Sequence, residues 1–103
     1  MIPDSFTVQG VVWRVRWRDP EDPTWKQEQS WGMTFFQVDG PEIHIDAGLR
    51  SDPTKLREIW LHELLHAVFP TLKRVDSKLE EKIVDRIAPM LASILNQSGW
   101  PAV

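Results

Sequence analysis

The segment Ile59–Val68 constrains this chain most, because it places ionisable side chains inside an apolar stretch. It reads Ile-Trp-Leu-His-Glu-Leu-Leu-His-Ala-Val and contains the pattern His62-Glu63-x-x-His66. Residues four apart lie on one face of a helix, so the two imidazoles can bind one cation. Glu63 lies beside them, where it can reach a water on that cation. The pattern therefore predicts a zinc-activated water with a carboxylate base next to it.

The surroundings of the motif strengthen this interpretation. Between Ile59 and Phe69, no charged residue other than Glu63 occurs. A helix this apolar is buried on most of its surface. Buried polar groups without partners cost roughly 1–3 kcal/mol each, and a metal with its water would provide those partners. The alternative is two core histidines bonded to the main chain, with Glu63 paired to an arginine.

The sequence also predicts where this helix begins and ends. Ser51-Asp52-Pro53 offers an N-cap candidate followed by a proline that suits the first turn. Pro70 cannot donate a hydrogen bond to the preceding turn and so ends the helix. We predict a helix over about Pro53–Phe69, with the motif in its C-terminal half.

A catalytic zinc site needs a third protein ligand from another element. The chain has no cysteine, and its only other histidine is His44. A second helix, predicted at about Ser77–Gln97, offers Glu80, Glu81 and Asp85. Its predicted apolar stripe comprises Leu79, Ile83, Ile87, Met90, Leu91 and Ile94.

Two neighbouring glutamates compete for the role of third ligand. Glu80 falls near the middle of the apolar stripe, but it also completes a capping-box pattern with Ser77. Glu81 falls at the edge, and Asp85 one turn later can accept the free N–H of a metal-bound histidine. Ala88 is small and would let the two helices approach closely. We favour Glu81 as the ligand and Asp85 behind it; the alternative is that both glutamates are solvated surface acids.

The first half of the chain predicts a small antiparallel β-sheet. Strands are predicted at Phe6–Gln9, Val11–Arg18, Met33–Val38 and Glu42–Asp46. Strict alternation over Val11–Arg18 indicates a half-buried strand with one apolar face. Asp19–Thr24 reads as a proline- and acid-rich loop, and Asp39-Gly40-Pro41 as a hairpin turn. In Glu42–Asp46 the isoleucines should face inward and the polar residues outward. The predicted fold class is α+β, a small antiparallel sheet followed by two packed helices.

Composition limits the remaining possibilities. The chain has 103 residues, enough for a single domain over 1–103. No apolar run approaches the ~20 residues that cross a bilayer, and the N-terminus lacks signal-peptide features. With no cysteines, we expect a cytoplasmic protein that does not associate with membranes. The net charge of −3 makes nucleic-acid binding unlikely as the main function.

The extended motif resembles the zincin signature of metallopeptidases. Overall, the chain resembles short phage and prophage zinc-metallopeptidase-like proteins, which have a sheet, a His-Glu-x-x-His helix and a final helix beginning Glu-Glu. The resemblance implies a minimal zincin-like metallopeptidase fold, a Zn²⁺ cofactor and a protein or peptide substrate in the host cytoplasm. It implies that His62, His66 and Glu81 bind zinc, that Glu63 is the general base, and that Asp85 supports a ligand from behind.

Other features leave alternatives open. Many relatives place a tyrosine or a further histidine near the metal, whereas this chain has no tyrosine. His44 and Arg50 are candidates to stabilise an oxyanion because they lie near the entry from the strand to the motif helix; the alternative is an exposed strand histidine and a loop arginine. If Glu42–Asp46 is a sheet edge, an extended peptide could pair with it. The main alternative is a zinc-binding protein without turnover, in which the metal holds the helices together. A second is an interaction module that uses the basic face of Val11–Arg18, for which a solvated strand face is the simpler explanation.

Overall fold

Short strands precede two long helices along this chain. The computed structural model describes residues 2–8, 10–37, 40–68 and 77–97. Its elements are β1 (Ser5–Val8), β2 (Val11–Arg18), α1 (Pro23–Glu28), β3 (Gly32–Phe35), β4 (Glu42–Asp46), a 3₁₀ helix (Ala47–Ser51), α2 (Pro53–Val68) and α3 (Ser77–Gln97). The predicted α+β class with two packed helices is confirmed. Predictions on Gln9, Val38, Asp39, Phe69 and Pro70 lie outside the described residues.

The sheet is mixed and has the strand order β1-β2-β4-β3. Two of its pairings are antiparallel, but β2 and β4 run parallel, with Arg14 opposite Glu42 and Arg18 opposite Asp46. The prediction of a purely antiparallel sheet is therefore wrong. The connection from β2 to β4 contains α1 and β3, and it is long enough to return the chain to the end of the sheet where β2 begins. It follows that β4 is a central strand, so the condition set for peptide pairing at β4 is not met, and that β3 is an edge of the sheet formed by the described residues.

One face of the sheet forms the main core with α2. Trp13 and Val15 of β2 and both isoleucines of β4 are buried, as the alternation predicted. The buried residues of this core are Ile2, Trp13, Val15, Ile43, Ile45, Leu49, Leu56, Trp60 and Ala67. Each large apolar side chain buried in this way contributes roughly 1.5–3 kcal/mol, which holds α2 firmly against the strands.

The opposite face of the sheet, the outer face, is partly covered by α1. Part of the predicted loop is this helix, which begins at Pro23 with Asp22 as N-cap accepting the N–H of Thr24. Trp25 is buried, and its Nε1 donates to Asp46 at 3.0 Å. The polar residues of β4 face away from the core, as expected, yet His44 is only 8% exposed. The Trp25 ring of α1 helps to cover His44, whose ring centre lies 6.4 Å away, and Asp46, to which it donates.

The face that α3 turns towards α2 differs from the predicted stripe. Its buried residues are the small Val84, Ala88 and Ala92, whereas Ile87 and Met90 are exposed, Met90 by 63%. Leu79 is also exposed, Leu91 is half-buried, and the Ile94 side chain lies outside the description. The predicted stripe is therefore wrong, while the predicted close approach at Ala88 is confirmed. Small residues let the helix axes come close, which brings the acids of α3 within reach of α2.

Among the described residues, no helix has the combination of length and apolarity needed to cross a bilayer.

Candidate metal centre

Two histidines of α2 and one glutamate of α3 converge at the helix pair. His62 Nε2 lies 3.7 Å from Glu81 Oε1, and His66 Nε2 lies 3.3 Å from Glu81 Oε2. One ligand atom from each residue can be chosen so that all lie within 4.8 Å of one another. The structure thus brings together the three predicted ligands, and their binding of zinc stays a prediction. Two imidazole nitrogens and a carboxylate oxygen are donors that suit Zn²⁺.

The second nitrogen of each histidine faces another carboxylate. His62 Nδ1 lies 3.8 Å from Asp85 Oδ1, and His66 Nδ1 lies 3.4 Å from Glu80 Oε1. Such carboxylates orient a metal-binding imidazole and favour the tautomer whose Nε2 is free for the metal. Asp85 therefore lies where it was predicted, and Glu80 takes the same place for the other histidine.

Sequence reasoning did not assign this role to Glu80, which it weighed as a ligand or a cap. The signal was nevertheless present. On a helix with about 100° per residue, Glu80 and Asp85 lie on opposite sides of Glu81. Acidic residues on both sides of Glu81 can therefore reach one histidine each, Asp85 behind His62 and Glu80 behind His66.

Glu63 is the most buried acid of the centre, at 6% exposure. The Thr34 hydroxyl donates to its Oε1 at 2.8 Å, and its Oε2 lies 3.8 Å from His62 Nε2. Burial raises the pKa of Glu63, an effect that the Thr34 hydrogen bond and the two histidines oppose and that Glu81 reinforces. A carboxylate with a raised pKa is a stronger proton acceptor, as a general base requires. Among the described residues, no arginine pairs with Glu63. The alternative of core histidines with Glu63 paired to an arginine therefore has no support in these contacts.

A glycine lets the edge strand β3 lie directly against α2. A Cβ atom added at Gly32 would lie 2.8 Å from Ile59 Cγ2 and 3.0 Å from Glu63 Cγ. Any side chain there would push the strand away from the helix. Sequence reasoning missed both Gly32 and Thr34, because nothing local connects Thr34 with a glutamate 29 residues further along the chain.

The centre has an excess of acidic groups. Among the described residues, the ion-pair partners of its carboxylates are the two histidines. Those carboxylates belong to Glu63, Glu80, Glu81 and Asp85. Like charges this close repel each other, and a divalent cation bound between them would relieve the repulsion. The donor set and the charge therefore both fit a divalent metal.

The two oxyanion candidates lie elsewhere. His44 is on the outer face, where Arg18 Nη1 lies 3.0 Å from its Nδ1 and Glu42 Oε1 lies 2.9 Å from its Nε2. The Arg50 guanidinium lies 4.3 Å from the centre of the Trp17 ring. Because side chains alternate along a strand, His44 points away from the face that the isoleucines share with α2.

No protein-family profile, curated protein or solved structure matches this chain. The resemblance to small zincin-like peptidases therefore stays a prediction, and any function has to be derived from the geometry of the centre.

Proposed function

We propose that this protein is a zinc-dependent peptidase. The observation that supports this most directly is the convergence of His62, His66 and Glu81 beside a buried carboxylate, Glu63. Catalytic zinc sites use three protein ligands and keep one position open, whereas structural sites are closed by four. The Glu81 side chain is 55% exposed, so the centre is accessible from the α3 side. That exposure favours a catalytic over a purely structural role.

Each residue of the centre has a chemical role in this proposal. His62, His66 and Glu81 hold the ion, and Glu80 and Asp85 orient the imidazoles from behind. Bound zinc would lower the pKa of a water to about 7 and polarise the scissile carbonyl. Glu63 accepts the proton of the attacking water and passes it to the leaving amine.

The outer edge of β3 offers a place for an extended peptide. The N–H of Asp46 donates to the carbonyl of Trp31, so these two residues form a hydrogen-bonded pair next to the β3–β4 ladder. Hydrogen-bonded and non-hydrogen-bonded pairs alternate along antiparallel strands. The main-chain N–H and C=O of Met33 therefore point towards β4, and those of Thr34 point outward. An incoming peptide could pair with the Thr34 main chain immediately beside Glu63. The peptide-pairing edge in this proposal is thus β3, because β4, which the sequence left open as an edge, is a central strand.

Replacing the base while leaving the ligands in place tests the proposal. In Glu63→Gln, zinc content should stay at the wild-type level, whereas hydrolysis of denatured casein should fall by about 10²- to 10⁴-fold. Metal analysis and a fluorescent casein assay measure the two quantities. Glu58→Gln, at an exposed position on the same helix, is the matched control and should behave as wild type.

Two outcomes contradict the proposal. If Glu63→Gln hydrolyses casein as fast as wild type, Glu63 is not the base. If zinc-loaded wild type cleaves none of a broad set of unfolded proteins while zinc raises its stability, the metal is structural and the peptidase proposal fails.

A further inference from the structure

The Thr34 hydroxyl lies against two acceptors of one residue. Thr34 Oγ1 is 2.8 Å from Glu63 Oε1 and 3.3 Å from the Glu63 carbonyl oxygen. A hydroxyl has one proton to donate, and the shorter contact to a charged oxygen is the stronger hydrogen bond. The proton of Thr34 is therefore directed to one chosen oxygen of Glu63.

The strand that carries Thr34 is well fixed. Thr34 pairs with the fully buried Ile43 in the β3–β4 ladder. Its β-branched side chain has a restricted χ1 angle, which reduces the freedom of the hydroxyl. The close approach at Gly32 keeps this strand against α2. Thr34 thus presents its hydroxyl from a rigid support.

The fixed hydroxyl gives the two Glu63 oxygens different environments. Oε1 is occupied by Thr34, while Oε2 faces the centre at 3.8 Å from His62 Nε2. A general base must come within about 2.6–3.2 Å of the group whose proton it accepts. Glutamate has a flexible side chain, so without a second contact its carboxylate would sample orientations that miss that distance.

We propose that Thr34 is a positioning residue for Glu63: its hydroxyl holds Oε1 so that Oε2 is directed at the water of the metal centre. The role in catalysis rests on the proposed function. The same residue also offers its main chain at the open strand edge, so the peptide and the base are aligned by one residue.

Two substitutions separate the hydroxyl from the rest of the side chain. Thr34→Val keeps the β-branched shape and the main chain but removes the hydrogen bond, and Thr34→Ser keeps the hydroxyl. For zinc-loaded protein acting on fluorescent casein, we expect Thr34→Val to lower kcat about 10- to 100-fold, because small misplacements of a catalytic group have effects of that size. KM should stay close to wild type, and Thr34→Ser should recover most of kcat. Thr7→Val, in the exposed edge strand β1, is the control and should change neither constant.

Crystal structures of the zinc-loaded wild type and Thr34→Val give a measurement that does not depend on turnover. The Glu63 carboxylate should leave its wild-type position, or lose a single orientation, when the hydroxyl is absent. If Oε1 stays in place in Thr34→Val, or if kcat is unchanged, the positioning role is overturned. Wild-type protein that cleaves nothing would contradict only the proposed function, and the crystal structures would still decide whether Thr34 orients Glu63.

Discussion

The described residues form two clusters of histidine and carboxylate, and the carboxylates of the two clusters have different partners. One is the candidate metal centre between α2 and α3. The other, the outer-face network, consists of Arg16, Arg18, Asp22, Glu42 and His44. In the network, Arg16 Nε donates to Glu42 Oε2 at 2.8 Å, and Arg18 lies within reach of both His44 and Asp22. Among the described residues, the carboxylates of the candidate metal centre have histidines as their ion-pair partners.

This difference indicates which histidines are available to a metal. An arginine can only donate hydrogen bonds, so His44 Nδ1 must accept from Arg18, and its Nε2–H then donates to Glu42. Both ring nitrogens are therefore already used. Since Arg16 and Arg18 are paired within the network, the basic strand face is also less suited to binding an acidic partner. The candidate metal centre has the opposite character: among the described residues its carboxylates outnumber its histidines, and both Nε2 atoms face the Glu81 carboxylate.

The largest effect that would test this contrast is stabilisation by zinc. A ligand that binds only the folded state at 1,000 times its Kd adds about 4 kcal/mol to the free energy of unfolding. We expect a gain of this order for wild type in zinc over metal-free buffer, and none for His66→Ala. His44→Ala should keep the whole gain. Urea unfolding with and without zinc measures it; an equal loss in both variants would show that the two clusters are not distinct.

A smaller effect is expected from His44→Ala itself. Removing His44 leaves the partly buried Arg18 and Glu42 side chains each without one hydrogen-bond partner, which costs about 1–3 kcal/mol for the two bonds together. The loss should be the same with and without zinc, because the network does not bind metal. Metal-free His62→Ala is the comparison, and its unfolding free energy should change less, because the acidic cluster gains little from that histidine without an ion. A zinc-dependent loss in His44→Ala would contradict this division.

The smallest effect concerns pH. The hydrogen bond from His44 and the nearby Arg16 lower the pKa of Glu42 below its ordinary 4.5, despite some desolvation. The network therefore stabilises the fold fully above about pH 4.5 and loses this contribution as pH falls through the lowered pKa. The difference in unfolding free energy between wild type and Glu42→Gln should be below about 1 kcal/mol, since the Arg16 partner is half-exposed. It should shrink in acid; a difference that does not depend on pH would mean that the Glu42 charge contributes nothing.

The pKa of Glu63 is shifted in the opposite direction from that of Glu42, which sharpens the contrast between the two clusters. Burial raises its pKa, so ionisation of Glu63 costs stability above that pKa; the cost shrinks as pH falls through the raised pKa and is gone below the ordinary value of 4.5. A carboxylate that destabilises the fold in its charged form is consistent with a functional rather than a structural role.

Local signals in the sequence account for the parts of the fold that were predicted well. The bounds of α3 and β4 match the prediction, and α2 starts where Pro53 indicated, because caps, prolines and short-range periodicity act over a few residues. The parallel pairing of β2 with β4 depends on distant segments, and no local pattern specifies it. The motif residues His62, Glu63 and His66 converge with Glu81 as expected. Thr34, in contrast, reaches Glu63 only because of the long-range pairing of the strands.

The orientation of α3 shows a different limit. Hydrophobicity alone favoured the larger side chains of Ile87 and Met90 as the buried stripe. The structure instead buries Ala88 and Ala92, whose small side chains let the two helices approach closely. A periodic pattern indicates which faces of a helix are apolar. It does not indicate which of two apolar faces packs against the neighbouring helix.

The parallel β2–β4 pair also has a consequence for how the chain folds. The helix pair that carries His62 and Glu81 joins segments close in sequence, whereas the sheet closes only when Arg14 meets Glu42 across α1 and β3. Closing the longer loop has a larger entropic cost, and chains dominated by such contacts fold more slowly. We therefore expect the ligand pair to assemble before the rate-limiting closure of the sheet, with the Glu63 carboxylate held in one orientation only when Thr34 arrives.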